Sequence, residues 1–353
     1  MISRKSQQLP HICLLFLFLL FCGEKSTAAE KQDESTSEDR QLLKINALAF
    51  GDVYWVASHH DPANEGIVSA WLRRAYLTFD SEFSKSLSGR LRFELNQSGE
   101  FEDFSFSADF KDLYLQAAVG EHKILLGLSG TPTFDVIEQT WGYRYLEKTP
   151  MDLQGVASRD TGLAAKGPLT RDGSIRYRVM YGSELEFGND SRDSNKWMAA
   201  LSFEPGSHWL IDLYVDFEAL QRSRNDRWTM QAFVAYRTEN TRVGLQYSDQ
   251  DRDDDPGIEL ASLFAVRDLS ETWSLIARVD RLFKPSVRGE DIDYLPFDPT
   301  ANATLLILGA EARPHRFVGV IPNIEYIGYD DPAGPTPRPD DDLLVRLTLR
   351  LKY

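Results

Sequence analysis

The sequence predicts an all-β fold, a 16-stranded antiparallel transmembrane β-barrel, from three observations. The chain begins with an export leader, its apolar residues then alternate with period two almost to the C-terminus, and the connections between alternating segments are short and long in turn. Short turns at one end of the strands and longer loops at the other are typical of bacterial outer-membrane barrels. Any one alternating strand is weak evidence, because soluble sandwiches also alternate, and the combination favours the barrel.

Residues 1–28 are interpreted as a signal peptide. Basic residues precede an apolar run from Ile12 to Cys22, and small residues follow it, which is the order of a secretory signal. The run is too short for a membrane helix, which needs ~20 apolar residues. We expect cleavage after Ala28 or Ala29, followed by a short polar linker over 29–41.

Charge and cysteine content exclude several kinds of function. The 353 residues include 54 acidic and 39 basic residues, for a net charge of -15, and this argues against a nucleic-acid binder, which needs concentrated cationic surface. Both cysteines, Cys13 and Cys22, lie in the leader. The mature chain therefore has no thiol chemistry, no zinc–thiolate site and no disulfide.

The last segment shows the strand pattern most clearly. Leu343, Val345, Leu347 and Leu349 lie on one face, and polar residues such as Arg346 lie between them, as expected for a strand with one side in an apolar phase. Similar segments recur along the whole mature chain. We predict sixteen strands near 42–56, 67–83, 86–98, 106–119, 121–130, 158–168, 173–183, 194–204, 207–218, 226–237, 240–249, 258–267, 271–281, 301–312, 315–328 and 341–353.

Interfacial aromatic residues are also expected. Trp71, Tyr181, Trp197, Trp228 and Trp273 lie in phase with the apolar faces and suit the girdles that flank the apolar band of a barrel. The alternative is that these residues pack in a core. An even number of strands also places both termini at the periplasmic end, opposite the long loops.

Part of the chain resembles a known family. The run from Leu125 to Gly167, LLGLSGTPTFDVIEQTWGYRYLEKTPMDLQGVASRDTGLAAKG, together with Leu72–Phe83 and Phe110–Ala117, resembles the phosphate-selective porins O and P. The resemblance covers most of the mature chain, and the central run is its most specific part. It implies a sixteen-stranded, usually trimeric, outer-membrane channel that favours anions.

The longest connection, 131–157, is the candidate constriction loop. It contains Asp135, Glu138, Arg144 and Lys148 among aromatic residues, a mixture that is too polar for a core. In sixteen-stranded porins the loop after the fifth strand folds inward, and we predict the same here. The alternative is an external surface loop with a helical turn around 136–145.

The alternation also assigns residues to the inner face of the barrel. Arg74, Arg92, Arg178, Arg346 and Arg350 fall there, and the inner face has a slight excess of base although the whole chain is acidic. Arginine rows attract and partly dehydrate oxyanions, so they are candidate pore-lining guides for anions. Two alternatives remain open: the arginines form paired ladders with acidic residues, or a register slip moves a set to the other face.

We therefore expect an outer-membrane porin with a water-filled diffusion channel, because sixteen strands enclose more space than side chains fill. The expected solutes are small and hydrophilic, with phosphate or other oxyanions among them. Expected partners are outer-membrane lipid, lipopolysaccharide and two further copies of the chain in a homotrimer, without nucleic acid. The alternative function is a surface binding protein or adhesin with little conductance.

Enzymatic and metal sites are not expected. The GLSG sequence at 127–130 is not a nucleophile elbow, and no motif for a cofactor is present. His59, His60 and Asp61 in the first loop could bind a transition metal, but exposed loop histidines are usually without a metal. The Asp-rich loop around 249–255 could bind Ca²⁺ or Mg²⁺, and a solvated loop is the simpler interpretation.

Overall fold

Sixteen antiparallel strands form a closed barrel in the described part of the computed structural model. The structure describes residues 42–97, 106–156, 158–183, 194–220, 226–253, 255–292, 295–332 and 335–353. The predicted signal peptide and linker lie outside these residues. Each strand pairs with its sequence neighbours, and β1 pairs with β16 to close the sheet.

The predicted fold class and strand order are confirmed, with small shifts at the strand ends. The strands are β1 Leu42–Ser58, β2 Val68–Glu82, β3 Leu87–Gln97, β4 Phe106–Val119, β5 His122–Gly130, β6 Arg159–Pro168, β7 Ile175–Gly182, β8 Ser194–Phe203, β9 Trp209–Leu220, β10 Arg227–Arg237, β11 Thr241–Arg252, β12 Ile258–Asp268, β13 Trp273–Leu282, β14 Ala303–His315, β15 Val318–Tyr329 and β16 Asp342–Lys352.

Alternation along each strand separates an apolar outer face from an inner face. In β10, Trp228, Met230 and Val234 are exposed on the outside, whereas Thr229 and Phe233 between them are buried. Outward apolar side chains on neighbouring strands lie side by side because the strands pair in register. The result is a continuous apolar outer band, as a membrane-spanning barrel requires.

Four of the five predicted interfacial aromatics are confirmed as outward-facing. Tyr181, Trp197, Trp228 and Trp273 are exposed, but Trp71 is only 5% exposed and points inward. The register between β1 and β2 shifts between Phe50 and Asp52, and this β-bulge reverses the side to which residues point. The prediction for Trp71 was therefore wrong.

The interior is partly filled on the β9–β16 side. Inward side chains near the long-loop end, among them Leu305, Ile307 and Ile327, are fully buried in one apolar cluster. Two loops, described over 131–156 and over 283–292 with 295–302, fold onto them and add apolar residues to the same cluster: Ile137, Trp141, Leu146 and Leu153 from the first, Ile292, Leu295 and Phe297 from the second. The expectation of an interior that side chains leave open was wrong on this side, because loop residues supply the missing apolar surface.

Helices in the described part of the chain are short. Two α-helices, α1 Asp135–Trp141 and α2 Pro150–Leu153, lie in the connection after β5, and 3-10 turns occur at Pro62–Asn64 and Gly289–Asp291. None of the helices in this part of the chain has the length and apolar character to cross a membrane.

Candidate functional site

The connection between β5 and β6, described over 131–156 and called the inner loop below, lies inside the barrel. Side chains from strands all around the wall hold its backbone. The hydrogen bonds run from Arg73 on β2 to the carbonyl of Leu146 at 2.7 Å, from Gln231 on β10 to Thr133 at 2.9 Å, from Arg242 on β11 to Thr140 at 3.1 Å and from Arg278 on β13 to Lys148 at 2.5 Å. Contacts with strands on opposite sides show that the loop crosses the interior.

The inner loop is compact and packs its apolar side chains against the wall. Helix α1 ends at Gly142, which adopts a left-handed conformation with φ of 73° that favours glycine. The chain then turns back, and the indole N–H of Trp141 donates to the carbonyl of Glu147 at 2.9 Å. Trp141, Leu146 and Met151 are almost completely buried. The loop is therefore packed rather than extended, which fixes the positions of its charged residues.

A cavity of about 490 Å³ remains between the inner loop and the wall formed by β1–β4, β6 and β16. Its tyrosines are Tyr76, Tyr145 and Tyr353, and Tyr353 lies at the short-turn end of the barrel. Tyr145 lines the cavity and also packs against the apolar cluster that fills the other side of the interior. The inner loop thus divides the lumen into an apolar, filled part and a polar, open part.

The cavity lining is strongly cationic. Among the described residues that line it, seven are basic and two are acidic; the basic residues are Arg90, Arg92, Lys111, Arg144, Arg159, Arg350 and Lys352, and the acidic ones are Asp80 and Glu138. Because guanidinium groups stay charged at any physiological pH, five of these positive charges are permanent.

Carboxylates in and behind the lining hold most of these cations in place. Asp112 accepts a hydrogen bond from Arg159 at 2.7 Å and lies 3.2 Å from Arg92. Arg90 bonds to Asp80 at 2.6 Å, Lys111 lies 3.2 Å from Glu94, and Arg350 lies 2.9 Å from Glu311. The paired-ladder alternative is thus correct in part: cations and acids alternate along the wall, and the cations dominate its cavity surface.

Toward the long-loop end lies a second, small pocket of about 10 Å³, called the neck below. Phe50, Trp71, Arg73, Arg74, Arg144 and Lys148 line it, and Arg144 also lines the cavity. Arg74 pairs with Glu94 at 2.6 Å, and Arg144 pairs with Asp152 and, at 3.4 Å, with Glu138. Four basic side chains therefore line this small pocket.

Burial and neighbouring charges shift the pKa values of two residues of the inner loop, Lys148 and Asp152. Burial lowers the pKa of the Lys148 ammonium; Asp152 opposes this in part, Arg74 and Arg144 add to it, and the pKa falls to about 7. Burial would raise the pKa of the Asp152 carboxyl, but the charges of Arg144 and Lys148 outweigh it and lower that pKa to about 2. Near neutral pH, Asp152 is therefore ionised and Lys148 is only partly protonated.

The structure divides the predicted pore-lining arginines into two groups. Arg92 and Arg350 line the cavity and Arg74 lines the neck. Arg178 and Arg346 point inward but are buried, Arg178 2.8 Å from Asp212 and Arg346 3.1 Å from Glu325. These two arginines hold the wall together and do not line the cavity or the neck.

Of the predicted loop residues, three line the cavity or the neck. Glu138 and Arg144 line the cavity, and Arg144 and Lys148 line the neck. Asp135 instead lies 3.8 Å from Lys166 on β6. It does not line the described cavity.

Alternation also places Arg90 and Lys352 on the inner face, but it missed two cavity cations, Lys111 and Arg159. Lys111 precedes the inward Asp112 and should face lipid by simple alternation, but the register between β3 and β4 shifts between Arg92 and Phe93. The bulge turns both residues inward, where they pair with Glu94 and Arg159. Arg159 is the first residue of β6. Its position directly after the polar inner loop was the feature of the sequence that could have identified it as a cavity residue.

The histidines of the first loop have a different carboxylate partner from the predicted one. The His60 backbone N–H donates to Asp342 at 2.5 Å, and its ring Nδ1 lies 3.0 Å from the same carboxylate. His59 stacks on His60 at 4.3 Å, while the Asp61 side chain accepts from the Ala63 backbone. The cluster ties the end of β1 to the start of β16, where the barrel closes.

Comparison with known proteins identifies structures of similar fold. No family model and no curated protein matches the sequence. An anion-selective porin from Comamonas acidovorans is similar with a TM-score of 0.61 and 13% identity, over 89% of this chain and 100% of that chain. The outer-membrane expressed OmpT of Vibrio cholerae is similar with a TM-score of 0.60 and 12% identity, over 91% and 100%. The outer membrane channel DcaP of Acinetobacter baumannii is similar with a TM-score of 0.58 and 10% identity, over 90% and 99%.

These identities are low, and the likeness establishes the fold. The chain has the sixteen-stranded barrel of outer-membrane porins, which supports the predicted location in a bacterial outer membrane. The narrower resemblance to phosphate-selective porins rests on the quoted sequence runs.

Proposed function

We propose that the protein is an outer-membrane porin whose channel passes small hydrophilic solutes and prefers anions. The observation that carries this proposal is the cavity lining, where seven described cations face two described carboxylates. Most of these cations are arginines, which bind oxyanions through several donors at once. The cavity is open to solvent next to Tyr353, which is 75% exposed at the barrel end.

Electrostatics explain why a modest excess of cations would suffice. In a narrow, low-dielectric passage, fixed charges raise the local concentration of counter-ions well above that in bulk solution. The carboxylates Asp112, Glu94 and Glu311 lie behind their cations, so a solute in the cavity meets the basic groups first. The acidic net charge of the chain does not predict the preferred ion, since permeation depends on the charges along the path.

Oxyanions such as phosphate are the proposed solute class, and a homotrimer is the proposed assembly. The solutes follow from the arginines and from the resemblance to phosphate-selective porins. The trimer is supported by one structure of similar fold, the in-vitro folded OmpT of Vibrio cholerae described as a trimer form, with a TM-score of 0.58 and 11% identity. The proposal includes no enzymatic activity and no metal.

Planar-bilayer recordings test the proposed function. Purified protein should produce stepwise conductance, and in a KCl gradient the reversal potential should have the sign for chloride permeation. A reversal potential of the opposite sign would overturn the anion preference. Deletion of 131–157 with a short linker in its place should raise the single-channel conductance, and unchanged conductance would contradict the constriction role of the inner loop.

A second candidate function has one observation in its favour. The neck holds only about 10 Å³, roughly the space for one water molecule. A barrel closed at this point would act mainly as a surface binding protein with little conductance. Membranes that stay insulating with correctly folded protein would favour this second function.

A further inference from the structure

Lys148 lies in the neck, which shares Arg144 with the cationic cavity. We infer that Lys148 is a titratable selectivity determinant, whose protonation sets the strength of the anion preference around neutral pH. The inference rests on the proposed function, because selectivity has meaning only for a conducting channel. Its structural basis is the neck, where Lys148 lies with Arg73, Arg74 and Arg144.

The backbone of Lys148 is fixed on both sides. Its N–H donates to the Glu147 carboxylate at 2.6 Å, and its carbonyl accepts from Arg278 at 2.5 Å. Glu147 in turn lies 3.4 Å from Arg73. The backbone that carries this side chain into the neck is therefore held in place by the wall and by its own neighbour.

Charged groups from every neighbouring element surround this site. On the inner loop, Asp152 and Arg144 form an ion pair beside Lys148. The charged residues of the wall around it are Asp52 on β1, Arg73 and Arg74 on β2, Glu94 on β3, Lys111 on β4, Arg278 and Asp280 on β13, Glu325 on β15 and its partner Arg346 on β16.

Lys148 changes charge near pH 7. Burial and the neighbouring arginines lower its pKa to about 7, whereas the pKa of Asp152 lies at about 2. Arginines remain charged throughout, and none of the described residues that line the cavity or the neck is a histidine. With the pKa lowered, Lys148 is positive below pH 7 and neutral above it, so the neck loses one positive charge as pH rises.

The experiment compares three proteins in planar bilayers under a KCl gradient at pH 5.5 and pH 8.5. In the wild type, the chloride-to-potassium permeability ratio should fall roughly threefold over this range, the effect of one charge a few ångströms from the ion path. Lys148→Arg keeps the charge and should retain the high ratio at both pH values. Lys148→Met keeps the length without the charge and should show the low ratio at both.

Lys123→Met serves as a matched control, because Lys123 is an exposed residue of β5 next to a short turn. It should keep the wild-type pH dependence. A wild-type ratio that does not change with pH overturns the inference, and so does a full pH response in Lys148→Met. Heat-modifiable gel mobility would reveal a variant that fails to fold. The wild-type measurement would still test the inference in that case. Insulating membranes at both pH values would instead overturn the proposed function itself.

Discussion

Arg278, on β13, donates a 2.5 Å hydrogen bond to the backbone carbonyl of Lys148 across the barrel interior. The same guanidinium binds Asp280 on its own strand at 2.9 Å and lies 5.3 Å from the centre of the Trp141 ring. One buried side chain therefore links the wall to helix α1 and to Lys148, which lines the neck. The inner loop is held by contacts of this kind rather than by apolar packing alone.

Replacing Arg278 should loosen the inner loop and destabilise the barrel. Arg278→Met leaves Asp280 buried without its guanidinium partner, and breaking a buried pair in this way costs about 3–5 kcal/mol. The temperature at which the folded gel band disappears should fall, and single-channel currents should become larger and noisier. Arg176→Met, at an exposed position of β7, is the matched control. Quiet wild-type currents in Arg278→Met would contradict the anchoring role.

Two tryptophans provide a test of inward and outward faces. Trp71 lines the neck and is buried, whereas Trp197 is 63% exposed on the outer face. Trp71→Ala should cost about 3–5 kcal/mol of folding free energy and raise the conductance by widening the neck. Trp197→Ala should cost about 1–2 kcal/mol and leave the conductance unchanged. Equal conductance in the two variants would contradict the inward position of Trp71.

Strand order was predictable from the sequence because lipid contact imposes a regular period of two. The bounds predicted for β4, 106–119, agree with those observed. The bulges next to Arg73 and Lys111 were not predictable in the same way. A bulge places two residues opposite one, which is a local feature of pairing that apolar periodicity does not record.

The sequence also indicated that part of the interior is filled, through a segment in which apolar and polar residues do not alternate. The segment Leu305–Leu308 is apolar at every position, and in the barrel Leu305 and Ile307 face inward while Leu308 is exposed outside. A strand that is apolar on both faces is expected to be buried on both sides. The candidate site was predictable only in part, because which arginines stay accessible depends on where the inner loop packs.

Gly51 permits the bulge that turns Trp71 inward. A Cβ at this position would lie 2.4 Å from the Trp71 carbonyl oxygen and 3.1 Å from the Leu72 Cα, which are backbone atoms that cannot move independently. Gly51→Ala should therefore disrupt the β1–β2 pairing and lower the yield of heat-modifiable barrel on refolding. Gly309→Ala, whose nearest contact is a side-chain atom at 3.2 Å, should refold more fully. Equal refolding yields would contradict this account of the bulge.

Asp112 and Arg92 should have opposite effects on ion selectivity. Asp112 lies 2.7 Å from Arg159 and 3.2 Å from Arg92, so it partly neutralises two cations of the cavity wall. Asp112→Asn removes that negative charge and should raise the chloride-to-potassium permeability ratio by about two- to threefold.

Arg92→Gln removes a cavity cation but leaves the buried Asp112 carboxylate, so the permeability ratio should fall by a similar factor. Reversal potentials in a KCl gradient measure both changes, and raising the salt concentration should reduce both because mobile ions screen fixed charges. The opposite signs separate an electrostatic effect from a loss of structure, since general damage to the barrel would move both variants in the same direction. Shifts of the same sign would mean that permeating ions do not pass this wall.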